Sequence, residues 1–147
     1  MKLSKTSLHT LSAALLFGTL SVSTVVVAEV AIIANTGSGA SELDAGTAKK
    51  LFLGKVKSIP GMSGVSLVGQ ADGSPIKAEF AKKITNKGLD KYKAYWSKRI
   101  FSGKSVPPTE VSGDAEVKAY VGKHADAVGY IDAASIDDSV KVLMRAP

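Results

Sequence analysis

A turn of small residues between an apolar strand and an amphipathic helix has the clearest binding chemistry in this sequence. Val65 to Gly69 has the composition of a short buried strand, and Gly73-Ser74 separates it from a helix that starts at Pro75. The first backbone N–H groups of a helix have no partner inside the helix and carry partial positive charge. A small turn at this point therefore favours a phosphate or a carboxylate group.

Few residues of this turn offer hydrogen-bond donors to an anion. The candidate donors are the Ser74 hydroxyl and the backbone N–H groups of Ile76 and Lys77, and the Lys77 ammonium adds a positive charge. Together with Gln70 and Gly73, these residues form the predicted ligand-binding site for a small anion, phosphate or a similar oxyanion. The alternative is that Ser74 only caps its own helix, since serine is a preferred N-cap residue.

Residues suited to catalysis or metal binding do not form a recognisable group. The sequence has no cysteine, and His124 is the one histidine after residue 28. A lone histidine near a helix C-terminus is typical of a partner for the helix dipole. Asp132, Asp137 and Asp138 lack the spacing, the glycine and the terminal glutamate of a calcium loop. We therefore expect a protein that is not an enzyme, with no catalytic residue, no metal site and no cofactor.

The N-terminal segment has the three parts of a secretory signal peptide. Two lysines precede an apolar run from Leu11 to Val27, and small residues end the run. Cleavage is expected after Ala28, which divides the chain into a signal peptide, residues 1–28, and one mature domain, residues 29–147. The mature form is then expected in the periplasm, or outside the cell, and not embedded in the membrane. An uncleaved anchor is the alternative, but serine, threonine and glycine interrupt the run.

The charge and the cysteine content of the mature domain limit which ligands it favours and how it is stabilised. Without Lys2 and Lys5, 17 basic residues stand against 13 acidic ones, a formal charge of +4. This mild surplus favours small anions or an acidic surface. The lysines are dispersed along the chain, and no arginine-rich run with interleaved aromatics indicates nucleic acid. An exported domain without cysteine has no disulfides, so packing alone must hold it together.

Hydrophobic periodicity in the mature domain predicts alternating strands and helices. Ile76, Phe80 and Ile84 recur at the four-residue spacing of one helical face. Continuous apolar runs indicate strands buried on both faces, and Pro107-Pro108 indicates an extended loop. The predicted helices begin at Asp44, Pro75, Leu89 and Ser112 or Asp114, and they end near Gly54, Thr85, Phe101 and Val121. The predicted strands are 30–34, 65–69, 127–131 and 140–144, with a loop at 57–64 and a polar turn at 132–138.

Several motifs together resemble the periplasmic phosphate-binding proteins of ABC transporters. They follow the order and spacing of that family over nearly the whole mature domain, although no single motif is specific. In chain order they are Leu51-Phe52-Leu53-Gly54-Lys55, the Gly-Ser helix start followed by Phe80, Tyr95-Trp96, Ile100-Phe101-Ser102-Gly103-Lys104 and Val128-Gly129-Tyr130-Ile131. The resemblance implies an α/β fold, a single lobe of the type II periplasmic-binding-protein fold with a mixed sheet flanked by about four helices.

The resemblance also implies where a ligand would bind and how the site differs from that of the family. The family holds phosphate with an Arg-x-x-x-Ser-Gly-Thr pattern, and the matching positions here are Gln70, Ser74, Pro75 and Ile76. The serine is retained, whereas Gln70 brings no charge, Pro75 no N–H and Ile76 no hydroxyl. A hydrogen bond to a charged group contributes about 1.5–3 kcal/mol, so we expect weaker anion binding than in the family.

Two functions from different classes are compatible with these features. The first is an exported phosphate- or oxyanion-binding protein that resembles the substrate-binding component of a phosphate ABC transporter, with the membrane permease as the implied partner. The second is an envelope protein-interaction module on a single lobe that has lost tight ligand binding and associates with itself or with another protein. An exposed apolar patch at the mouth of the Gly-Ser turn would favour the second function.

Overall fold

The computed structural model describes residues 27–147, which form a five-stranded mixed sheet with helices on both faces. The predicted signal peptide lies outside the described residues apart from positions 27 and 28. Within 27–147, no helix combines the length and apolar character needed to cross a bilayer. The strands are β1 (Val30–Asn35), β2 (Ser58–Ile59), β3 (Met62–Ser63), β4 (Ser66–Gln70), β5 (Thr109–Val111), β6 (Ala127–Asp132) and β7 (Val140–Ala146). The helices are α1 (Ala45–Phe52), α2 (Pro75–Thr85), α3 (Leu89–Phe101) and α4 (Asp114–Lys123), and a 3-10 turn covers Ala133–Ser135.

The first strand of the chain lies inside the sheet. The strand order is β5-β4-β6-β1-β7, and β1 pairs antiparallel with both β6 and β7. Ile32 of β1 lies opposite Tyr130 of β6 and Met144 of β7. β4 pairs parallel with β6 and with β5. The carboxyl ends of β4 and β6 therefore meet at one edge of the sheet, which is where open α/β sheets bind their ligands.

Alternate side chains of β1 enter two separate hydrophobic clusters. Ile32 belongs to the larger cluster, with α1, α2 and α3, while Ile33 belongs to the smaller one, with α4. Because both faces of the strand are covered, Val30 to Ala34 forms a continuous apolar run and is fully buried. The predicted α/β fold with a mixed sheet and four α-helices is confirmed.

Three aromatic rings occupy the centre of the larger cluster. Phe80 of α2 stacks on Tyr130 of β6 with ring centroids 3.7 Å apart and an interplanar angle of 5°. Phe52 of α1 meets Phe80 edge-on at 4.8 Å, and all three side chains are fully or almost fully buried. Aromatic pairs of this kind add about 0.5–1.5 kcal/mol beyond their burial. These contacts fix α2 on the sheet, and so they set where its N-terminus lies.

Three stretches differ from the sequence-based prediction. The predicted loop at 57–64 contains the hairpin of β2 and β3, in which Ser58 pairs with Ser63. The chain after Pro107-Pro108 forms β5, which adds a parallel edge strand to β4, and α4 continues two residues beyond Val121. Strands of two or three residues are too short to show an alternating pattern. Their hydrogen bonds depend on a partner strand that the local sequence does not identify.

We expect Phe80→Ala to lower the free energy of unfolding by about 3–5 kcal/mol, because it leaves a cavity between Phe52 and Tyr130. Urea denaturation followed by circular dichroism measures this change. The matched control is Lys82→Ala, which truncates an exposed side chain on the same helix and should change the stability by less than about 0.5 kcal/mol. Equal effects of the two variants would contradict the central role of the aromatic stack.

Candidate functional site

The turn that precedes α2 has the backbone conformation of a tight strand-to-helix connection. Gly73 has φ of +91°, a value that side chains other than glycine adopt only with strain. Ser74 occupies the N-cap position with an extended backbone, but its side chain makes no capping hydrogen bond. The Ser74 hydroxyl instead donates to Gln70 Oε1 at 2.5 Å. Ser74 is therefore the N-cap residue of α2, but its hydroxyl bonds to the preceding strand and not to an N–H of the helix.

Gln70, the last residue of β4, connects this turn to the core. Its side chain is buried, with 2% of the residue exposed. Its backbone N–H donates to the Tyr130 hydroxyl at 3.0 Å, and its Nε2 donates to Asp114 Oδ1 at 2.6 Å. With Oε1 accepting from Ser74, the amide has partners on both of its polar atoms. The Gln70 amide thus bridges two helix starts, α2 and α4.

Asp114 is a site residue that sequence reasoning did not identify. It was considered only as a possible cap of α4, whereas Gly113 occupies the N-cap position and Asp114 is the first helical residue. Its carboxylate accepts from Gln70 Nε2, from the Ser135 hydroxyl at 2.6 Å and from the Asp132 N–H at 3.3 Å. A carboxylate at a helix N-terminus is favourable because of the helix dipole. No local signal links Asp114 to Gln70, which lies 44 residues earlier in the chain.

The Lys77 ammonium is held in an ion-paired cluster. Lys77 is 3% exposed, and its Nζ lies 2.9 Å from Asp72 Oδ1 and 2.5 Å from Glu110 Oε1. Lys93 binds the other oxygen of Asp72 at 2.6 Å. Hydrogen bonds from Lys93 and then from Lys77 lower the pKa of Asp72 to about 2. Two carboxylates therefore neutralise the Lys77 ammonium, which the sequence predicts to be available to an anion.

An open cavity of about 590 Å³ lies between the N-termini of α2 and α4. It brings together Gln70, Gly73, Ser74 and Ile76 of the predicted site, while the Lys77 side chain lines a different cavity. Pro75 has no N–H, and the Lys77 N–H donates to Ser74 O at 3.2 Å, so Ile76 provides the first backbone donor of α2.

Three aspartates are among the residues that line this cavity. They are Asp72, Asp114 and Asp132, and they lie beside the two helix starts. Backbone dipoles therefore attract an anion, while the carboxylates repel one that cannot offer them a proton. Within 27–147, no cluster of histidine, aspartate or glutamate has a geometry that would hold a metal ion.

A second cavity, of about 330 Å³, lies on the other side of Gln70. Tyr92, Trp96 and Tyr130 line it, as do the ion-paired Lys77 and Glu110. Burial raises the pKa of the Tyr92 and Tyr130 phenols well above their usual value. Both phenols are neutral at physiological pH, and the ion pair leaves little net charge to hold an anion. This cavity does not share the anion-binding features of the first.

The structure is similar in fold to several solved proteins. A structure from Clostridium perfringens, described as a phosphate ABC transporter substrate-binding protein with bound phosphate, matches with a TM-score of 0.61 at 20% sequence identity. An ABC-type phosphate transport receptor from Vibrio cholerae matches with a TM-score of 0.62 at 19% identity, and PstS from Borrelia burgdorferi with 0.58 at 12%. The chain has the fold of a periplasmic binding-protein lobe.

The likeness covers most of this chain but only part of each neighbour. The matches span 79–80% of this chain and 45–47% of the other chains, so this chain covers about half the length of these binding proteins. At 12–20% identity the comparison supports the fold. No protein-family model matches the sequence, and no curated protein matches it. The predicted resemblance to one lobe of the phosphate-binding proteins is confirmed at the level of the fold.

The ion-paired cluster predicts a pH dependence of stability. Because the pKa of Asp72 is lower in the folded state than its ordinary value of 3.8, its ion pairs stabilise the fold above about pH 4. That contribution is lost as the pH falls towards about 2, where the folded carboxylate takes up a proton. Asp72→Asn should therefore be less stable than the wild type at pH 7, and the difference should shrink between pH 4 and pH 2.

Urea denaturation at a series of pH values measures this difference. The control is Asp90→Asn, which removes an exposed carboxylate from α3 outside the cluster. A stability gap between Asp72→Asn and the wild type that stays constant from pH 7 to pH 2 would contradict the ion pairing.

Proposed function

We propose that this chain is an exported binding protein for a small oxyanion that carries a proton, with inorganic phosphate as the first candidate. The anion binds in the cavity between the N-termini of α2 and α4, where Gln70, Gly73, Ser74 and Ile76 lie. The protein acts by binding and not by catalysis. The observation that carries the proposal is the convergence of two helix N-termini on the Gln70–Ser74 pair.

The donors for the anion come from the turn and from the first turn of α2. Ser74 Oγ can rotate from Gln70 Oε1 towards the cavity, and the Ile76 N–H lacks a helical acceptor by its position. Lys77 contributes to the field of the site while its ammonium stays paired with Asp72 and Glu110. The site has few hydrogen-bond donors, and two carboxylates neutralise the Lys77 ammonium. We therefore propose that the affinity for the anion is weak, as the absence of the arginine found in the resembling family implies.

The carboxylates of the cavity favour phosphate over sulfate. Asp114 and Asp132 line the cavity, and hydrogen phosphate carries a hydroxyl that can donate to one of their oxygens in exchange for a present partner. Sulfate has no proton at neutral pH, so it meets these carboxylates only as a repelling charge. The bound phosphate in the C. perfringens neighbour supports phosphate as the anion to test first.

The proposed setting is a phosphate-uptake system, in or beside an ABC transporter. Cleavage after Ala28 would place residues 29–147 in the periplasm as one domain, and the transporter permease is the proposed membrane partner. In the described residues the cavity is open, so a closed site would need a further protein surface over it, such as a second copy.

An exposed apolar patch at the mouth of the Gly-Ser turn, which would favour an interaction module, is not found among residues 27–147. The large apolar side chains that are exposed within 27–147 are Val27, Ile100, Phe101 and Val106. None of them lines the cavity at the Gly-Ser turn.

Isothermal titration with phosphate, with sulfate in a parallel series, tests the proposed site. Saturable binding of phosphate is expected, and Ser74→Ala should weaken it about tenfold, because a hydrogen bond to a charged group is lost. Ser102→Ala, which removes an exposed serine from another turn, should bind like the wild type. Absence of saturable phosphate binding to the wild type would overturn the proposed function, and unchanged affinity in Ser74→Ala would overturn the site.

The choice of anion should depend on Asp114. We expect Asp114→Asn to bring the affinities for phosphate and sulfate closer together, because it removes both an acceptor and a repelling charge. The same titrations, run on the variant after circular dichroism has verified its fold, give the ratio of the two dissociation constants. A phosphate-to-sulfate ratio equal to that of the wild type would contradict a role for this carboxylate in selection.

A further inference from the structure

The end of α3 presents apolar side chains to solvent. Ile100, Phe101 and Val106 are 51%, 97% and 87% exposed. We name the segment 100–106 the apolar tip. None of its side chains contributes to the cavity of the proposed anion site. Exposed aromatic and aliphatic side chains clustered on one turn mark a surface that contacts a partner or a membrane.

Hydrogen bonds hold the apolar tip in one conformation. The N–H of Gly103, with φ of +67°, donates to Ile100 O at 3.0 Å, and the N–H of Lys104 donates to Arg99 O at 3.1 Å. This pair of bonds is the Schellman arrangement that ends many helices. The Arg99 guanidinium also donates to Ser105 Oγ at 2.5 Å and to Gly54 O at 3.3 Å. Phe101 is therefore displayed by an ordered turn, and burying it costs little additional ordering of the backbone.

Basic residues lie beside the apolar tip. Lys98 and Arg99 directly precede it and Lys104 belongs to it. Lys55 and Lys57 are brought close, because Arg99 bonds to Gly54 and because Lys57 and Val106 line the same cavity. Asp72 and Glu110 share a different cavity with Ile100, where they are paired with Lys77 and Lys93. The fold thus places five basic residues, from two separate segments of the chain, next to the tip.

We propose that the apolar tip docks this protein on the surface of a membrane that contains anionic phospholipids. Phe101, Ile100 and Val106 enter the boundary between headgroups and acyl chains, and the surrounding lysines bind the lipid phosphates. In this proposal the described domain lies on the surface of the bilayer.

The dimensions of the tip favour a lipid surface over a protein partner. A stable protein interface buries roughly 800 Å² on each partner, and three side chains on one turn cover much less. A side chain that is 97% exposed, as Phe101 is, projects beyond the surrounding surface. A projecting apolar group flanked by cations matches an anionic bilayer, where the apolar and the charged layers lie at different depths.

A fluorescent label beside the tip tests the docking in the full chain. The sequence has no cysteine, so Ser102→Cys gives a single attachment point for a polarity-sensitive dye next to Phe101. With vesicles of phosphatidylglycerol and phosphatidylcholine at 30:70, we expect the emission to shift to the blue and to intensify. Vesicles of pure phosphatidylcholine should produce little change, and added salt should reverse the shift. The control label, at Ala119→Cys on the exposed face of α4, should not respond.

Substitutions at the tip separate the apolar from the electrostatic contribution. In the Ser102→Cys background, Phe101→Ser should weaken vesicle binding at least about tenfold, whereas Phe101→Leu should retain most of it. Lys98→Gln with Lys104→Gln should weaken binding about thirtyfold. The matched pair Lys82→Gln with Lys123→Gln removes the same charge from exposed sites elsewhere and should leave vesicle binding close to that of the wild type.

Three results would overturn the proposal. They are an unresponsive label at position 102, an equal response to neutral and anionic vesicles, and binding that is the same in Phe101→Ser and the wild type. Dimerisation of the wild type that Phe101→Ser abolishes, without vesicle binding, would assign the tip to self-association instead. Docking does not depend on the anion site, so Ser74→Ala should bind vesicles like the wild type.

Discussion

The position of Tyr130 is the constraint on which both the core and the candidate site depend. Its ring stacks on Phe80 in the centre of the larger hydrophobic cluster, while its hydroxyl accepts the N–H of Gln70. One side chain thus holds α2 against the sheet and fixes the end of β4. Because the stack is buried and its geometry is tight, the turn at Gly73-Ser74 has a defined place relative to the carboxyl ends of the strands.

The polar groups of the site are largely satisfied by one another. Gln70 bridges Ser74 and Asp114, and Asp114 in turn accepts from Ser135. The arrangement is built on a neutral amide and an internal carboxylate, without a guanidinium group. An anion that enters the cavity must compete with these bonds, so weak binding follows from the same contacts that order the turn.

The two proposed functions, membrane docking and anion binding, belong to different parts of the fold. The cavity lies between two helix starts at the carboxyl ends of the strands, whereas the tip is at the C-terminal end of α3, beside Lys98, Arg99 and Lys104. A protein that meets an anionic surface with one region can keep its binding cavity accessible. That cavity is open to solvent in the described residues.

Features that depend on neighbours in the chain could be predicted from the sequence. The strand Val30–Asn35, the helices α2 and α3 and the N-cap of α1, where Asp44 accepts from the Thr47 N–H at 2.9 Å, all follow from local patterns. The same local chemistry located the turn at Gly73-Ser74. Periodicity and capping act over a few residues, so they can be read without knowledge of the fold.

Contacts between distant residues were decided only by the tertiary structure. The partners of Lys77 include Glu110, 33 residues away, and those of Gln70 include Asp114, 44 residues away. The short strand β5 needs β4 as its partner, and the lysines around Phe101 come together only when residues 45–71 pack beside α3. By itself the sequence determined the four helices, the four longer strands and the place of the turn, whereas β2, β3 and β5 depended on their partner strands. Which charges are paired and which remain free depended on packing, because electrostatic interactions follow distance in space and not distance along the chain.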